Sequence, residues 1–465
     1  MANTGTTAVR PFGMRDKIGY MFGDFGNDFT FMLSSSFMMV FYTDIMGVPS
    51  VIVGLLMMVA RFVDAFTDVT MGQIIDYSKP TKDGRFRPWI KRMCGPVAIA
   101  SFLIYQSEFA GMPMAFKVVW MFVTYLLWGS VFYTSINIPY GSMASAISPN
   151  ADDRTQLSTY RSIGATLASL VIGTATPLLA YETVNGNPVL SGSRMLVMAG
   201  AFSICAIVCY MLCFNLTTER VVIPPKTEKF SFVKLFQTVF TSRSLIGIIL
   251  AAICLLLTML TMSGMNPYIF PYYFRNTAAQ SAVAMCSSFG TLLIAAPLAP
   301  KLSAKFGKKE ISVVGSLVGA GLFLICYLVH PENAWVYLGF YTLAYIGMGL
   351  FNTVVWAMIT DVIDDCEVRK GIREDGTIYS VYSFARKLGQ AASAGLVGAL
   401  LGIIGYTAET QFEPAVQSGI YTIACIAPVI GFVAIALVLL FVYPLDKKTV
   451  DNNVKILEAR RAEKK

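Results

Sequence analysis

LLMMVARFVDAFTDVTMG, residues Leu55–Gly72, is an apolar run with Arg61, Asp64 and Asp68 in its interior. Asp64 and Asp68 are four apart, so on a helix they share one face, about one turn apart. Arg61 lies three residues before Asp64 on a similar face. A charged side chain at the centre of a membrane helix costs about 2.5–3.5 kcal/mol by insertion scales, and such residues face a cavity or a partner. Two carboxylates this close repel in a low dielectric, and a bound cation or proton relieves the repulsion. A structural network in which Arg61 neutralises one Asp is the competing reading.

The surrounding chain is that of a membrane protein. Of its 465 residues 55% are hydrophobic and 14% charged, and the mean hydropathy is +0.61. Soluble domains carry about 25% charged residues. Apolar runs long enough for about 30 Å of hydrocarbon, roughly 20 residues each, recur throughout. They read as twelve helical spans: 18–46, 49–76, 89–109, 115–145, 158–182, 193–216, 244–272, 279–302, 308–330, 334–362, 377–404 and 417–443.

The net charge is +8, and the basic residues lie in short loops rather than in the single patch of a nucleic-acid protein. Lys79 to Arg92, Arg154, Lys226 to Arg243, Lys301 to Lys309 and Arg369 to Arg373 occupy alternate loops, while the others carry few. Positive loops face the cytoplasm, which predicts both termini there. The stretch 218–243, with IPPKTEKF, divides the chain into an N-terminal bundle (1–217) and a C-terminal bundle (244–443), followed by a cytoplasmic tail (444–465). A weak internal repeat agrees with that division: GQIIDYSKPTKDGRFRP and PKLSAKFGKKE each place a glycine in a basic loop after the second span of a half. Paired halves are common in secondary transporters. The expected fold is an all-α polytopic membrane protein of two pseudo-symmetric six-helix bundles.

Other spans also carry polar residues. GDFGNDF places Asp24 and Asp28 four apart, and Asp28 is a candidate acceptor for sugar hydroxyls. In the fourth span Tyr133, Asn137 and Gly141 share a face beside Thr134, and Pro139 is expected to kink the helix. Amides beside an aromatic suit a sugar, with its hydroxyl edge and C–H face. Arg161, followed on its face by Gly164 and Ala168, is placed to pair with Asp28 or donate to a hydroxyl. In the eleventh span Lys387 shares a stripe with Tyr379, Ser380, Ser383 and Gln390, while Arg386 points about 100° away, beside Tyr382. Asp361, Asp364 and Glu367 recur every three residues before Arg369, Lys370 and Arg373, a candidate cytoplasmic gate of ion pairs.

The remaining signals are bland. Nine cysteines are scattered with no CxxC and read as free thiols packed among helices. His330 stands alone at a helix end. There is no Walker A motif and no nucleophile–base set, so neither an ATP-driven pump nor an enzyme is expected. Residues 1–27 lack an apolar h-region with a cleavage site, so no cleaved signal peptide is expected.

GDFGNDF, FYTDIMGV, ARFVDAFTDVTMG, GRFRPW, NIPYGSM, DVIDDCE, GIREDG and YSFARKLGQ together resemble the glycoside–pentoside–hexuronide:cation symporters of the major facilitator superfamily, the group of melibiose permease and the glucuronide transporter. The resemblance implies the major facilitator fold and sugar–cation symport by alternating access in a bacterial inner membrane. It implies a cation site at Asp64, Asp68 and Thr134 with Thr67 alongside, for Na⁺ or H⁺ and no other cofactor. It implies sugar contacts from Asp28, Tyr133, Asn137, Arg161 and Lys387, to which the eleventh span adds Ser383 of the stripe and Tyr382 beside Arg386. Partners are then a glycoside, the coupling ion and the bilayer, for a chain acting as a monomer without nucleic acid. Three positions depart from melibiose permease. Thr67 replaces an Asn before the second cation-site Asp, Asn137 replaces a second sugar-binding Asp, and Gly141 replaces a Trp. These changes favour a pentoside or hexoside other than a melibiose-type galactoside, with a hexuronide second. A lipid carrier on the same fold is the remote alternative.

Overall fold

A computed structural model describes residues 10–221, 242–371 and 375–463. The chain forms α1 (Met14–Val40), α2 (Ser50–Tyr77) and α3 (Arg87–Ile104), then α4 (Met114–Ile147), α5 (Ala151–Leu179) and α6 (Gly192–Leu216). After the segment 222–241, where most of the expected linker lies outside the described residues, come α7 (Arg243–Tyr273) and α8 (Thr277–Phe306). They are followed by α9 (Lys308–Val329), α10 (Ala334–Lys370) and α11 (Asp375–Ile403), then α12 (Pro414–Val442). Among the described residues nine of these helices are long and apolar enough to cross a membrane. The other three are α1, α3 and α11. They hold polar side chains used below: Asp24, Asn27 and Asp28; Arg87; Arg386 and Lys387.

Four departures from the sequence reading have physical causes. α5 starts at Ala151, before the apolar run. The Asp152 amide donates to Asn150 Oδ1 at 3.0 Å, and Asp152 and Asp153 in the first turn suit the positive helix terminus. α10 continues to Lys370 and ends where Gly371, at φ +73°, donates its amide to Glu367 O. A hairpin joins α5 to α6, with β1 (Tyr181–Val184) antiparallel to β2 (Asn187–Leu190). Its turn is Asn185-Gly186 at φ +52° and +80°, the two-residue turn that strand twist favours. The tail contains a thirteenth helix, α13 (Lys447–Glu463).

The internal repeat is visible in backbone geometry. α1 and α7 each close on a π-helical turn, Phe41–Ile45 and Ile269–Tyr273. In both, the first carbonyl accepts from five residues on and the second from six: Met46 N to Phe41 O and Val48 N to Tyr42 O, then Phe274 N to Ile269 O and Asn276 N to Phe270 O. Gly84 and Gly307 in the paired basic loops share φ +107°. The basic residues that follow cap helix ends. Arg85 Nε donates to Ile75 O at 2.9 Å and Arg87 Nη2 to Phe214 O at 2.6 Å. In the second half Lys309 Nζ donates to Tyr443 O at 2.8 Å, and Lys447 Nζ to Ala304 O at 2.6 Å. Each side chain satisfies carbonyls in the last turn of a helix or, for Tyr443, just beyond it.

The contacts divide the chain into two units. One comprises Met1–Met38, Val63–Ile172 and Ser191–Glu228, and the other Met39–Phe62, Gly173–Leu190 and Lys229–Lys465. The divisions therefore fall inside α1, α2 and α5. In the second unit the start of α2 packs on α11 with backbones touching: a Cβ on Gly398 would meet Ser50 O at 2.5 Å and Gly54 Cα at 2.8 Å. Small residues permit such close approach without a hydrophobic drive from lipid. In the same unit Asp44, at the end of α1, accepts from Thr43 Oγ1 and Tyr406 OH, each at 2.8 Å, and from Tyr272 OH.

At Gly84 a Cβ would lie 2.5 Å from the Glu219 carboxyl carbon, and at Gly307 2.0 Å from Glu310 Oε2. Gly84→Ala and Gly307→Ala are each expected to lose about 1–3 kcal/mol, since left-handed backbone strain adds to the clash. At Gly72 a Cβ would meet nothing within 4 Å, so Gly72→Ala serves as the neutral or stabilising control. Thermal unfolding of the detergent-solubilised proteins measures the difference.

Candidate cation and sugar site

In the first unit α4 is interrupted by a π-helical turn, Leu127–Tyr133, with Trp128, Gly129 and Ser130 buried. π-turns occur frequently at functional sites because they redirect side chains and backbone carbonyls. Here the turn faces the two aspartates of α2. Ser130 Oγ donates to Asp64 Oδ1 at 2.5 Å, and Thr134 Oγ1 donates to Asp68 Oδ1 at 2.7 Å. Thr134 Oγ1 also lies 3.1 Å from Gly129 O. Asp64 is buried and Asp68 half-buried. At Gly129 a Cβ would stand 3.4 Å from Asp64 Oδ1, an ordinary van der Waals contact. The donors are all oxygens, the ligands that hard cations take. A hydroxyl is a rotor with one proton and two lone pairs. Ser130 and Thr134 can therefore donate to the carboxylates, or turn a lone pair toward an ion between them. Thr67 is placed differently, because its hydroxyl donates to Asp64 O of its own helix at 3.2 Å. Arg61 also has partners of its own.

The sugar candidates of this unit gather on α1, α4 and α5. Arg161 pairs with Asp24 rather than Asp28, Nε to Oδ1 at 3.1 Å. Its guanidinium also lies 5.4 Å from the Tyr140 ring centroid, and that ring stacks on Tyr20 at 4.6 Å. The helices approach closely enough for this because Gly164 packs on α1, where a Cβ would lie 2.4 Å from Met21 O. Asp28 is half-buried and makes no side-chain hydrogen bond among the described residues. Its carboxylate is thus an acceptor without a donor. One residue earlier, Asn27 donates to Asn137 Oδ1 at 3.3 Å and accepts from Tyr210 OH at 2.9 Å. Tyr133 stacks on Phe31 at 5.8 Å and leans on Trp128 at 5.5 Å.

The remaining candidates belong to the second unit. Ser383 is exposed and Lys387 half-buried with contacts of its own. Tyr382 is fully buried, set edge-on against Trp356 at 5.2 Å. On α10 Asp361 accepts both its bonds from Lys308 Nζ, at 2.7 and 2.8 Å. Asp364 and Glu367 are half-buried and partnered, and Arg373 lies outside the described residues.

Three residues escaped the sequence reading. Ser130 sits one turn before Thr134, and only the π-turn gives both hydroxyls a carboxylate. Asn27 lay between the two noticed aspartates. Asp365 accepts from Ser244 Oγ at 2.7 Å, Arg369 Nε at 3.1 Å and Asn453 Nδ2 at 3.3 Å. The spacing of four through Asp361, Asp365 and Arg369 was its available signal, hidden by the period of three.

Residues 19–447 match the family described as MFS/sugar transport protein. The chain is 31% identical over 451 residues to the glucuronide carrier protein homolog of Escherichia coli K12, covering 95% of this chain and 96% of that one. It is 31% identical over 442 residues to an uncharacterized symporter, YjmB, of Bacillus subtilis 168, covering 93% and 92%. The isoprimeverose transporter of Lactiplantibacillus pentosus is 28% identical over 434 residues, covering 93% and 89%. The fold is shared with a bacterial homologue of the human lysosomal transporter Spinster, at TM-score 0.66, 11% identity, 96% of this chain and 99% of that one. It is shared likewise with a D-xylose–proton symporter, at TM-score 0.62, 13% identity, 94% and 97%. The chain accordingly belongs to the MFS/sugar transport protein family and is a multi-pass membrane transporter with the major facilitator fold.

Proposed function

We propose that the protein carries a glycoside built on a pentose or hexose, together with Na⁺ or H⁺, by alternating access. The observation that supports this most directly is the pairing of Asp64 and Asp68 with two hydroxyls across the π-turn of α4. Two carboxylates among neutral oxygens leave a charge that one monovalent cation reduces to a single negative unit. The relatives named glucuronide carrier homolog and isoprimeverose transporter support a sugar glycoside as cargo.

The first unit also offers a physical route for coupling. An ion between the carboxylates turns the Thr134 hydroxyl, one turn of α4 before Asn137. Asn137 bonds to Asn27, whose neighbour Asp28 offers its acceptor to the cargo. Ion and sugar are then linked through one short helical segment. Loading one without the other leaves either the carboxylate pair or Asp28 uncompensated in a low dielectric, where unpaired charge is costly. The reading places a monomer in the bacterial inner membrane with both termini cytoplasmic. The basic loops support that orientation.

Four outcomes follow, with proteoliposomes as the assay for the first three. Asp64→Asn and Asp68→Asn should abolish glycoside accumulation driven by a Na⁺ or H⁺ gradient. Thr134→Ala should raise the half-saturating cation concentration about tenfold or more, since hydrogen bonds to charged groups contribute about 1.5–3 kcal/mol. Accumulation against a gradient by the double Asn variant would sink the cation site. Asp28→Asn should weaken glycoside binding about tenfold, roughly 1.4 kcal/mol, and leave the cation dependence unchanged. For topology, an impermeant maleimide added outside intact cells should label Glu332→Cys and spare Lys82→Cys, both exposed positions, in a background with Cys205 replaced.

A further inference from the structure

We infer that Arg386 is the anchor for an anionic substituent on the transported sugar, and that Trp356 and Tyr379 form the shelf on which the sugar ring lies. This deepens the transporter reading above and rests on it. The guanidinium of Arg386 lies over two aromatic rings, 5.5 Å from the Trp356 centroid and 5.9 Å from that of Tyr382. Its polar contact among the described residues is a long one, Nη1 to Tyr382 OH at 3.5 Å. Arg386 makes no ion pair among the described residues, whereas Arg161 has Asp24 and Lys308 has Asp361. An arginine well inside a membrane helix calls for a counter-charge or water. With no acid supplied by the described residues, the cargo is the natural source.

The geometry fits an oxyanion. The Trp356 and Tyr382 rings, at 70° to each other, flank the guanidinium, and its N–H fork matches carboxylate and similar planar or trigonal oxyanions in a bidentate way. The surroundings fit a sugar. Trp356 is 44% exposed and Tyr379 38% exposed, and their rings are nearly parallel, 6.3 Å apart at 18°. Tyr382, edge-on to Trp356, is fully buried and holds that ring in place. Exposed Thr360 on α10, one turn from Trp356, and exposed Ser383 on α11 make this face polar, as a water-filled chamber requires and lipid does not. Lys387, the basic residue the sequence pointed to, has contacts of its own. The anion-selective residue is the neighbour.

The test uses the full-length protein in proteoliposomes with Na⁺ and H⁺ gradients, and three probes sharing one aglycone: nitrophenyl glucoside, nitrophenyl glucuronide and the 6-sulfonated glucoside. The wild type should bind at least one anionic probe about tenfold tighter than the glucoside, as a charge-assisted bidentate contact allows. Which of the two binds tighter separates carboxylate from sulfonate cargo. Arg386→Gln should weaken the anionic probe about 30-fold or more and the glucoside about threefold or less. Arg386→Lys keeps the charge without the fork, so it should lose an intermediate amount on the anionic probe alone. Its folding is the safer of the two, and the selective loss is readable from it by itself. Equal losses on all probes, or a wild type that transports the glucoside and ignores both anions, would overturn the anchor while leaving the transporter reading intact. A wild type that moves none of the three under either gradient would overturn both.

Discussion

Two carboxylates on one face of α2 are tolerated because α4 breaks its helical register opposite them. An uninterrupted helix would present Ser130 and Thr134 one turn apart with their carbonyls committed to the next turn. The π-turn widens the coil, so that Ser130 reaches Asp64, Thr134 reaches Asp68 and Gly129 O is drawn to the same place. Hydroxyl donors lower the cost of the buried charge without removing it. What they leave is an oxygen-lined site whose electrostatics favour a positive guest.

The other half of the design is at the helix ends. A transporter interior holds polar groups for its cargo, so its stability must come from elsewhere, and the basic-loop end supplies part of it. Asp16 is fully buried, takes ion pairs from Arg10 and Arg220 at 2.7 and 2.8 Å, and also accepts the Thr218 amide at 3.1 Å. Glu219 accepts the amides of Arg85, Phe86 and Arg87 at the start of α3. There a carboxylate both satisfies orphan donors and meets the positive end of the helix dipole. Asp361 and Asp365 serve the second half, tying α10 to α9, α7 and α13. Breaking one partner of such a buried set leaves an uncompensated charge, which is far costlier than the pair is stabilising.

Much of this was legible. Long apolar runs gave most of the helix ends to within a few residues, the start of α5 and the end of α10 excepted, because a bilayer demands a length and a composition. The paired basic loops were visible as a repeat, and Gly84 and Gly307 turned out to share a backbone angle. The Asn185-Gly186 pair is a strong hairpin signal, but it lies between apolar runs, where hydropathy carries no information. The polar start of α5 carried its cap in Asn150 and its acids in Asp152 and Asp153, but hydropathy counts such residues against a helix.

The sequence by itself determined the apolar helices, the residues that bear charge in apolar surroundings and the face shared by Asp64 and Asp68, since all of these follow from periodicity and the cost of polarity in lipid. It did not determine partners. Arg161 has Asp24 and Asp28 within one turn of each other on α1, and helical spacing offers both. Only the approach of α5 to α1 at Gly164 selects Asp24 and leaves Asp28 open. Adjacent Arg386 and Lys387 were likewise distinguishable only once Trp356 and Tyr382 stood beside one of them. Which charge meets which group depends on angles between helices, and those are set by packing across the fold rather than by any stretch of residues.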